Sequence, residues 1–508
     1  MVFKGNIEYL TENEIGIRLR ATQQNPSVLP AESLYAIEHD TMDTTFRSMY
    51  QGLYIYLSAR KERRDLLLSQ RPPRFDESLD SMISRSEDDF TRIALKAKAA
   101  QDYFLLIGPP GTGKTSCALK KMVETFHADK DAQILLLSYT NRAVDEICKS
   151  LASIAPAVDF IRVGSELSCD EAYRGHLIEN ELSSCNRRSE VYERIRNCRI
   201  IVGTVAAISG KPELFRLKHF DVAIIDEATQ ILEPQLLGIL CARGEDGKDA
   251  IDKFVLIGDH KQLPAVVQQN TEQSAIYDES LLSIGLTNLK DSLFERLYRN
   301  CTATVHRSYD MLCRQGRMHP EVALFANRAF YGGRLIPVGL PHQIESSDTI
   351  CRLAFYPSVP EKAGASAKIN YSEARIVADL AVRIYEDHQA DFDESRTLGI
   401  ITPYRSQIAL IKKEIESVGI PVLNRILVDT VERFQGSERD VIIYSFCVNY
   451  PYQLKFLSNL TEEEGVLIDR KLNVALTRAR KQMFITGVSE LLERNPLYKS
   501  LLKLIESF

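Results

Sequence analysis

A glycine-rich segment that ends in a lysine and a hydroxyl residue has the chemistry to bind the phosphates of a nucleotide. Residues 108–115, Gly-Pro-Pro-Gly-Thr-Gly-Lys-Thr, match G-x-x-x-x-G-K-[ST], follow an apolar run and precede a helical pattern. Glycines let successive backbone N–H groups surround phosphate oxygens, and the helix N-terminus adds its positive dipole end. We expect Lys114 to reach the β and γ phosphates and Thr115 to ligate Mg²⁺. A glycine-rich turn without a ligand is the alternative, and the flanking strand and helix patterns disfavour it. The candidate residues of this segment are Gly108, Pro109, Pro110, Gly111, Thr112, Gly113, Lys114, Thr115 and Ser116.

Two adjacent carboxylates follow a second apolar run, residues 222–225. In open parallel sheets, ligands bind at the carboxyl ends of the strands, where Asp226 and Glu227 would lie. Asp226 could hold Mg²⁺, and Glu227 could orient and deprotonate an attacking water. Asp-Glu at a strand end is also a common solvated helix cap. The phosphate-binding segment upstream favours the catalytic interpretation.

An amide and two arginines could complete a phosphoryl-transfer site. Gln262 follows the apolar run 254–257, where its amide could contact the γ-phosphate or the attacking water. Arg317 and Arg478 lie far away in sequence. Enzymes of this chemistry place cationic side chains on the γ-phosphate. Any single arginine is more simply a surface or salt-bridged residue, so this interpretation depends on the accompanying motifs.

The elements that must position these residues follow an α/β pattern. From about residue 90, apolar runs of four to six residues alternate with helical stretches, which predicts parallel sheets covered on both faces. A first series of runs lies at 104–107, 134–137, 200–202, 222–225 and 254–257, and a second at 398–401, 441–444 and 483–485. We therefore predict two α/β domains, at 90–300, with a helical insertion near 164–198, and at 301–508.

The first 89 residues have a different pattern. Residues 1–42 alternate between apolar and polar and are interrupted by glycine and proline, which predicts a small β-barrel or a meander. Residues 43–74 have helical periodicity and end in a basic cluster, so we expect a stalk helix. Residues 75–89 are mostly acidic and are expected to form a linker.

Composition excludes several classes of protein. The chain has 508 residues, 63 Lys and Arg against 69 Asp and Glu, and a formal net charge of −6. This balance excludes a histone-type polyanion binder but leaves room for a local basic groove. Ten cysteines without a Cys-x-x-Cys pair favour reduced thiols, hence a cytoplasmic protein, or a nuclear one in a eukaryote. The longest apolar runs have the length of strands, so we expect no membrane span.

Taken in order, ten segments of the chain resemble the motifs of superfamily 1B helicases. The resemblance is to the branch that holds the RNA-surveillance helicase of nonsense-mediated decay and the replication-associated nuclease-helicase, and it is strongest to the helicase part of the latter. It covers most of the chain from about 90 to 490. The segments are 108–115, 138–147, 202–205, 226–234, 258–264, 292–297, 315–320, 400–407, 429–438 and 472–480.

The resemblance implies two RecA-like domains with ATP and Mg²⁺ in the cleft between them. By motif, Lys114 and Thr115 would bind phosphate and Mg²⁺, and Asp226 and Glu227 would supply the metal ligand and the base. Gln262 would sense the γ-phosphate, and Arg317 and Arg478 would be the arginine fingers. Glu438 would approach the ribose or phosphates, and Gln435 would couple the two sites.

The resemblance also implies 5′ to 3′ movement on a single strand, with DNA favoured over RNA. Backbone contacts would be sequence-independent, and hydroxyls or amides at strand ends could supply them. These side chains could equally be helix N-caps, and the basic segment 60–74 could be a further phosphate contact or a solvated helix face. The candidates are Thr140, Asn141, Thr204, Thr402, Tyr404 and Thr430.

Some features of the resemblance leave alternatives open. The relatives' nuclease domain has no counterpart, so the chain would act as a helicase alone, with a protein partner, or as part of a larger protein; we expect a monomer. A nucleic-acid clamp switched by ATP, or a nucleoprotein remodeller that does not unwind, is the alternative function. A metabolic P-loop kinase has no use for arginines so distant from the loop.

Two positions depart from the family pattern. A glutamine that reads adenine is expected near Phe90, but residues 86–92 contain no substitute for it, and Gly316 stands where an aromatic residue that stacks on the base is expected. These departures predict weak base discrimination, so that GTP or CTP supports a substantial part of the ATP rate.

Overall fold

The computed structural model describes residues 5–19, 34–37, 44–267, 269–304, 306–345, 350–361, 366–463 and 465–507. Two parallel β-sheets organise most of these residues. Within the described ranges, no helix combines the length and apolar character needed to cross a membrane.

The first sheet has seven strands in the order β5-β6-β4-β7-β8-β3-β9, all in parallel pairs. Alternate residues along a strand enter two separate hydrophobic cores: Leu105 and Ile107 pack into one, and Phe104 and Leu106 into the other. This is the burial expected of a sheet covered on both faces. The strands are β3 (Tyr103–Ile107), β4 (Ile134–Ser138), β5 (Phe160–Val163), β6 (Ile200–Thr204), β7 (Phe220–Ile225), β8 (Ile251–Gly258) and β9 (Tyr309–Met311).

Among the described residues 44–267 and 269–303, the structure contains thirteen α-helices. They are α1 (Thr44–Ser58), α2 (Lys61–Leu67), α3 (Asp80–Arg85), α4 (Asp89–Ala99), α5 (Lys120–His127), α6 (Asn141–Ala152), α7 (Ile178–Glu181), α8 (Arg188–Asn197), α9 (Val205–Ser209), α10 (Glu213–Leu217), α11 (Glu233–Leu240), α12 (Glu279–Ser283) and α13 (Leu293–Ala303).

The second sheet has five parallel strands in the order β12-β18-β15-β13-β14. Ile442 and Tyr444 pack into one core, whereas Val441 and Ile443 pack into another, so this sheet is also covered on both faces. The strands are β12 (Leu353–Pro357), β13 (Leu398–Ile401), β14 (Leu427–Asp429), β15 (Arg439–Ser445) and β18 (Ala479–Gly487). Two further pairs are parallel β10 (Arg314–Gln315) with β11 (Ile336–Pro337), and antiparallel β16 (Leu460–Glu463) with β17 (Val466–Asp469).

The second half of the chain contains the remaining α-helices of the described residues. They are α14 (Pro320–Tyr331), α15 (Pro341–Ile344), α16 (Tyr371–Asp387), α17 (Arg405–Ser417), α18 (Val431–Phe434), α19 (Leu454–Leu457), α20 (Arg470–Leu476), α21 (Ser489–Leu492) and α22 (Pro496–Ile505).

The predicted fold class, α/β with two parallel sheets, is confirmed, whereas the amino-terminal barrel is not. The described part of 1–42 contains one antiparallel hairpin, β1 (Gly5–Leu10) with β2 (Ile15–Leu19), and residues 34–37; the rest lies outside the described residues. The stalk contains α1 and α2 instead of one helix.

The predicted linker and domain boundary contain ordered structure. Residues 75–89 include a 3₁₀ turn and α3, and Asp80 there pairs with Arg307. Strand β9 lies beyond residue 300 but pairs with β3, so the first sheet extends past the predicted boundary. The chain therefore crosses to the second sheet after residue 311.

Candidate nucleotide and nucleic-acid site

The glycine-rich segment forms a loop between β3 and a π-helical turn, Lys114–Leu119, that continues into α5. Gly111 and Gly113 both have φ of +74°, a conformation that favours glycine. A Cβ built on Gly108 would lie 2.0 Å from Lys114 Cγ, so the lysine side chain folds back across the loop at this point. The sequence therefore needs glycine here to bring Lys114 over the phosphate-binding backbone.

The two carboxylates after β7 lie beside the end of this loop. Thr115 Oγ1 donates to Asp226 Oδ2 at 2.5 Å, and Lys114 Nζ lies 3.4 Å from Glu227 Oε1. Glu227 has φ of +54°, which is uncommon for a residue with a side chain and is often found at functional sites. Strands β3 and β7 thus bring together the four residues that the sequence assigned to phosphate, metal and base.

The protonation of the carboxylate pair is set by burial and by Lys114. Asp226 is 1% exposed, and burial together with the neighbouring Glu227 charge raises the pKa of Asp226. Burial also opposes ionisation of Glu227, but Lys114 and a hydrogen bond from Gln230 Nε2 outweigh it and lower the pKa of Glu227. Glu227 is therefore a carboxylate at neutral pH and is able to accept a proton.

A metal ion fits this donor set. Asp226 and Thr115 present a carboxylate and a hydroxyl, the oxygen ligands that Mg²⁺ prefers. A buried carboxylate with a raised pKa is a site where a bound cation would offset the cost of burial.

Gln262 and Arg478 meet in the interface between the two halves of the chain. Gln262 Nε2 donates to Asp259 Oδ2 at 2.8 Å, and Gln262 Oε1 accepts from Arg478 Nη2 at 3.3 Å. Asp259 also accepts from the hydroxyl of Tyr331 at 2.7 Å, to which Asn473 donates. This buried network connects the end of β8 with α14 and α20.

Arg478 is a buried cation. It is 2% exposed, and burial, with the nearby Arg317 charge, lowers the pKa of Arg478 to about 9. It still carries its charge at neutral pH, in a position close enough to Glu227 and Glu438 to be stabilised by both carboxylates. A buried cation of this kind is suited to stabilising an anion in the cleft.

Arg317 lies directly against the glycine-rich loop. Gly316 N donates to Gly111 O at 2.8 Å, and a Cβ on Gly111 would lie 2.4 Å from Arg317 Cβ. The Arg317 guanidinium forms an ion pair with Glu438. Gln315 Oε1 accepts from the N–H groups of Arg317 and of Met318, which fixes this turn.

The structure also shows contacts that the motifs did not assign. Arg142 on α6 donates to Gly436 O at 3.3 Å and to Ser437 Oγ at 3.5 Å, so the first half contacts the segment that contains Glu438. Arg142 and Asp259 lie inside motif segments, and their polar types after strand ends are a signal that could have found them. Tyr331 lies outside those segments, and its role depends on tertiary packing.

The two positions that depart from the family pattern both lie near the loop. A Cβ on Gly113 would lie 3.5 Å from Phe90 Cζ. A Cβ on Gly316 would lie 3.2 Å from Leu340 Cδ1 and 3.3 Å from Val338 Cγ2. The surroundings of the expected base site therefore include apolar side chains at these positions.

The six nucleic-acid candidates all lie at or just after the carboxyl ends of strands β4, β6, β13 and β14. Thr140 and Thr204 cap α6 and α9 by accepting from Ala143 N and Ala207 N, so the helix-cap interpretation holds for these two hydroxyls. Thr402 is fully buried, and its Oγ1 has no hydrogen-bond partner among the described residues. Asn141, Tyr404 and Thr430 are partly exposed, and their contact with nucleic acid stays a prediction.

Gln435, expected to couple the two sites, has its Nε2 buried without a partner in the described part of the chain.

Two parallel sheets, a phosphate-binding loop and paired carboxylates define a P-loop nucleotide-binding protein. One AAA domain family model matches residues 289–490, and a second AAA domain model matches residues 85–191 and 178–270. The chain is 28% identical to the DNA replication ATP-dependent helicase/nuclease DNA2 of Gallus gallus, over 95% of this chain and 46% of that protein. Identity to DNA2 of Homo sapiens is also 28%, with the same coverage.

Another relative is the DNA polymerase alpha-associated DNA helicase A of Saccharomyces cerevisiae, 24% identical over 90% of this chain and 73% of that protein. Among solved structures, an arterivirus nonstructural protein 10 helicase in complex with DNA is 15% identical, with a TM-score of 0.38 over 82% of this chain and 65% of that one. These matches support a superfamily 1B helicase related to the helicase part of DNA2, as the motifs predict. It spans less than half the length of the DNA2 proteins that it matches.

Proposed function

We propose that the chain is an ATP-dependent helicase that moves 5′ to 3′ along a single nucleic-acid strand. One observation carries the proposal. Arg317 and Arg478, from the second half of the chain, lie at the same cleft as Lys114 and Glu227 from the first half. A nucleotide bound there would contact both halves, so hydrolysis can change how they are held together.

The side chains suit hydrolysis of a nucleoside triphosphate. Lys114 would bind the β and γ phosphates, and Glu227, a carboxylate at neutral pH, would accept a proton from the water that attacks the γ-phosphate. Arg317 and Arg478 would stabilise the charge that develops on the transferred phosphoryl group. Thr115 and Asp226 would hold Mg²⁺, which supplies positive charge beside the phosphates.

The strand would cross the carboxyl ends of both sheets. The six candidate residues there offer hydroxyl and amide groups for hydrogen bonds, and none of the six is basic. Such groups suit sequence-independent contacts that are released and remade during movement. DNA is favoured over RNA because the relatives are named as DNA helicases. We propose that the protein works as a monomer in the cytoplasm, or in the nucleus of a eukaryote.

Strand displacement on 5′-tailed and 3′-tailed duplexes tests this function. The protein should release the labelled strand from the 5′-tailed DNA duplex only, and only with ATP and Mg²⁺. Lys114→Ala should abolish both hydrolysis and displacement, whereas the control Lys121→Ala, on α5 beyond the loop, should retain both. Hydrolysis and DNA binding without displacement would instead identify a clamp switched by ATP.

A further inference from the structure

Three aromatic residues, Tyr450, Tyr452 and Phe456, form a group after the central strand of the second sheet, and Tyr450 is partly exposed. Tyr452 is 55% exposed and Phe456 is 68% exposed. The Tyr450 and Tyr452 rings stack with centroids 5.7 Å apart, and the Tyr452 and Phe456 rings meet edge to face at 6.5 Å. We call these three residues the aromatic platform. Large aromatic side chains in water are costly unless a partner covers them.

The buried side chain of Gln453 fixes the start of the loop that carries this platform. It is 2% exposed, and its Oε1 accepts from Asn449 N and Tyr450 N, both at 2.9 Å. Its Nε2 donates to Ala367 O at 2.7 Å and to the Tyr404 hydroxyl at 3.2 Å. All the hydrogen bonds of this buried amide therefore serve to fix the loop, which preorganises the exposed rings.

The platform is continuous with the predicted nucleic-acid contacts. Strand β15 pairs in parallel with β13, so the loop that follows β15 emerges beside Thr402 and Tyr404. The hydrogen bond from Gln453 to Tyr404 joins the platform directly to one of these candidates.

The charges around the platform complement a phosphate backbone. Lys455 directly precedes Phe456, Arg405 follows Tyr404, and Lys368 follows Ala367. All three are exposed, and none forms an ion pair within the described ranges. Glu361 is an acidic neighbour, since its N–H donates to Asn449 Oδ1. Rings surrounded by mainly cationic side chains are typical of surfaces that bind single strands, where bases stack and phosphates meet cations.

We propose that the aromatic platform is a stacking site for bases of the single strand, and that it extends the predicted track beyond Tyr404. The proposal rests on the proposed function, because it assigns the same ligand to a further part of the surface. Stacking would be indifferent to base identity, since every base has a π-face. The platform would therefore add affinity without adding sequence preference.

The double variant Tyr452→Ala/Phe456→Ala tests the platform by fluorescence anisotropy with a labelled single-stranded DNA. We expect binding to weaken at least about fivefold, the minimum for loss of one base–aromatic stack. The matched control Tyr277→Ala removes another exposed tyrosine, 81% exposed, and should bind as the wild type does. ATP hydrolysis without nucleic acid should be unchanged in both variants, which shows that the fold and the nucleotide site are intact.

Two further variants and one further ligand separate stacking from other roles. Tyr452→Phe should retain wild-type affinity, whereas Tyr452→Leu/Phe456→Leu, which keeps apolar area without flat rings, should bind as weakly as the alanine variant. An abasic strand of equal length should bind wild type and double variant equally. If the wild type and the alanine variant bind the normal strand equally, the platform does not stack bases and this proposal is overturned. The proposed helicase function would remain, and the exposed rings would instead fit a surface that binds a protein. A wild-type protein that binds no single strand would overturn both.

Discussion

At the scale of single residues, Arg478 donates its hydrogen bonds to neutral oxygens, while Glu227 and Glu438 lie close enough to stabilise its charge. Its guanidinium donates to Val474 O at 3.1 Å, to Ser437 O at 3.3 Å and to Gln262 Oε1 at 3.3 Å. Replacement by alanine should therefore preserve nucleotide binding but remove most hydrolysis, by roughly 10³- to 10⁵-fold, the usual contribution of an arginine finger. Steady-state hydrolysis and equilibrium binding of a fluorescent ATP analogue measure the two effects separately.

The control for this prediction is Arg433→Ala, which removes an exposed arginine from α18. It should keep wild-type turnover. Turnover in Arg478→Ala within tenfold of the wild type would show that Arg478 only supports the fold of the interface.

The surroundings of the base predict broad nucleotide use. Phe90 lies against Gly113, and Val338 and Leu340 lie beside Gly316, where apolar contact is insensitive to the pattern of donors and acceptors on a base. We expect GTP and CTP to support a substantial part of the ATP rate. The measurement is kcat/KM for each nucleotide at saturating single-stranded DNA, with Lys114→Ala as a background control that should be inactive with all of them. Strict selectivity for ATP would contradict this prediction.

The site residues that sequence alone could predict are those fixed by local pattern. Lys114, Thr115, Asp226 and Glu227 each follow a recognisable apolar run at a strand end, so their convergence follows from the parallel sheet. The contacts of Asp259 with Tyr331 and of Asn473 with Tyr331 join segments far apart in sequence. No local pattern encodes such contacts, because they depend on how the two halves pack.

At the scale of secondary-structure elements, the buried strands were the most predictable, since a strand covered on both faces is a continuous apolar run. All eight runs identified in the sequence coincide with strands. Short elements were less predictable. The helix α3 forms in a segment whose acidic composition indicated a linker, and the ion pair between Asp80 and Arg307 that packs it is a long-range contact.

The contact between α1 and α11 gives an element-scale prediction. A Cβ on Gly52 would lie 2.3 Å from Pro234 O, so the two helices touch backbone to backbone. In an isolated helix, glycine to alanine stabilises by about 1 kcal/mol. In this protein the overlap of the new Cβ with Pro234 O should make the substitution destabilising. Gly52→Ala should lower the free energy of unfolding by about 1–2 kcal/mol.

Thermal denaturation of Gly52→Ala beside Gly175→Ala measures this effect. Gly175 has no atom within 4 Å of a built Cβ, so its substitution should leave the midpoint unchanged or slightly raised. An unchanged midpoint for Gly52→Ala would show that α1 moves away from α11 at little cost.

At the scale of the whole molecule, ionic contacts also join the two halves outside the proposed nucleotide site. Glu463, at the end of β16, lies 2.9 Å from His260 Nε2 and 3.6 Å from Lys261 Nζ. Burial opposes ionisation of Glu463, but a hydrogen bond with His260 and the charges of His260, Lys261 and Arg470 outweigh it and lower the pKa of Glu463 to about 2. Arg470 pairs with Glu295 in the same region. The hairpin of β16 and β17 is thus part of the interface beside Gln262.

The chain carries a net charge of −6, and the predicted nucleic-acid contacts include few cations. Both features bear on how the salt concentration affects DNA binding. The candidate contacts are mostly hydroxyls, amides and a few cations, so few counterions should be released on binding. With about 0.7 ions per neutralised phosphate on a single strand, we expect log affinity against log salt concentration to fall with a slope no steeper than about −3.

Anisotropy titrations over a range of KCl concentrations measure this slope. The Tyr452→Ala/Phe456→Ala variant is the control, since loss of stacking should lower affinity and leave the slope unchanged. A slope near that of a basic duplex binder, about −10, would contradict a track of few ionic contacts.

The ion pair between Arg317 and Glu438 bears on how the reaction ends. Glu438 accepts from Nε of Arg317, so a phosphate group bound by Arg317 would compete with this carboxylate for the guanidinium. If Arg317 binds the γ-phosphate as proposed, the carboxylate would take the place of the cleaved phosphate when it departs, and this competition would favour product release. Glu438→Gln should therefore increase inhibition of hydrolysis by added inorganic phosphate. An unchanged inhibition constant would indicate that product leaves without this exchange.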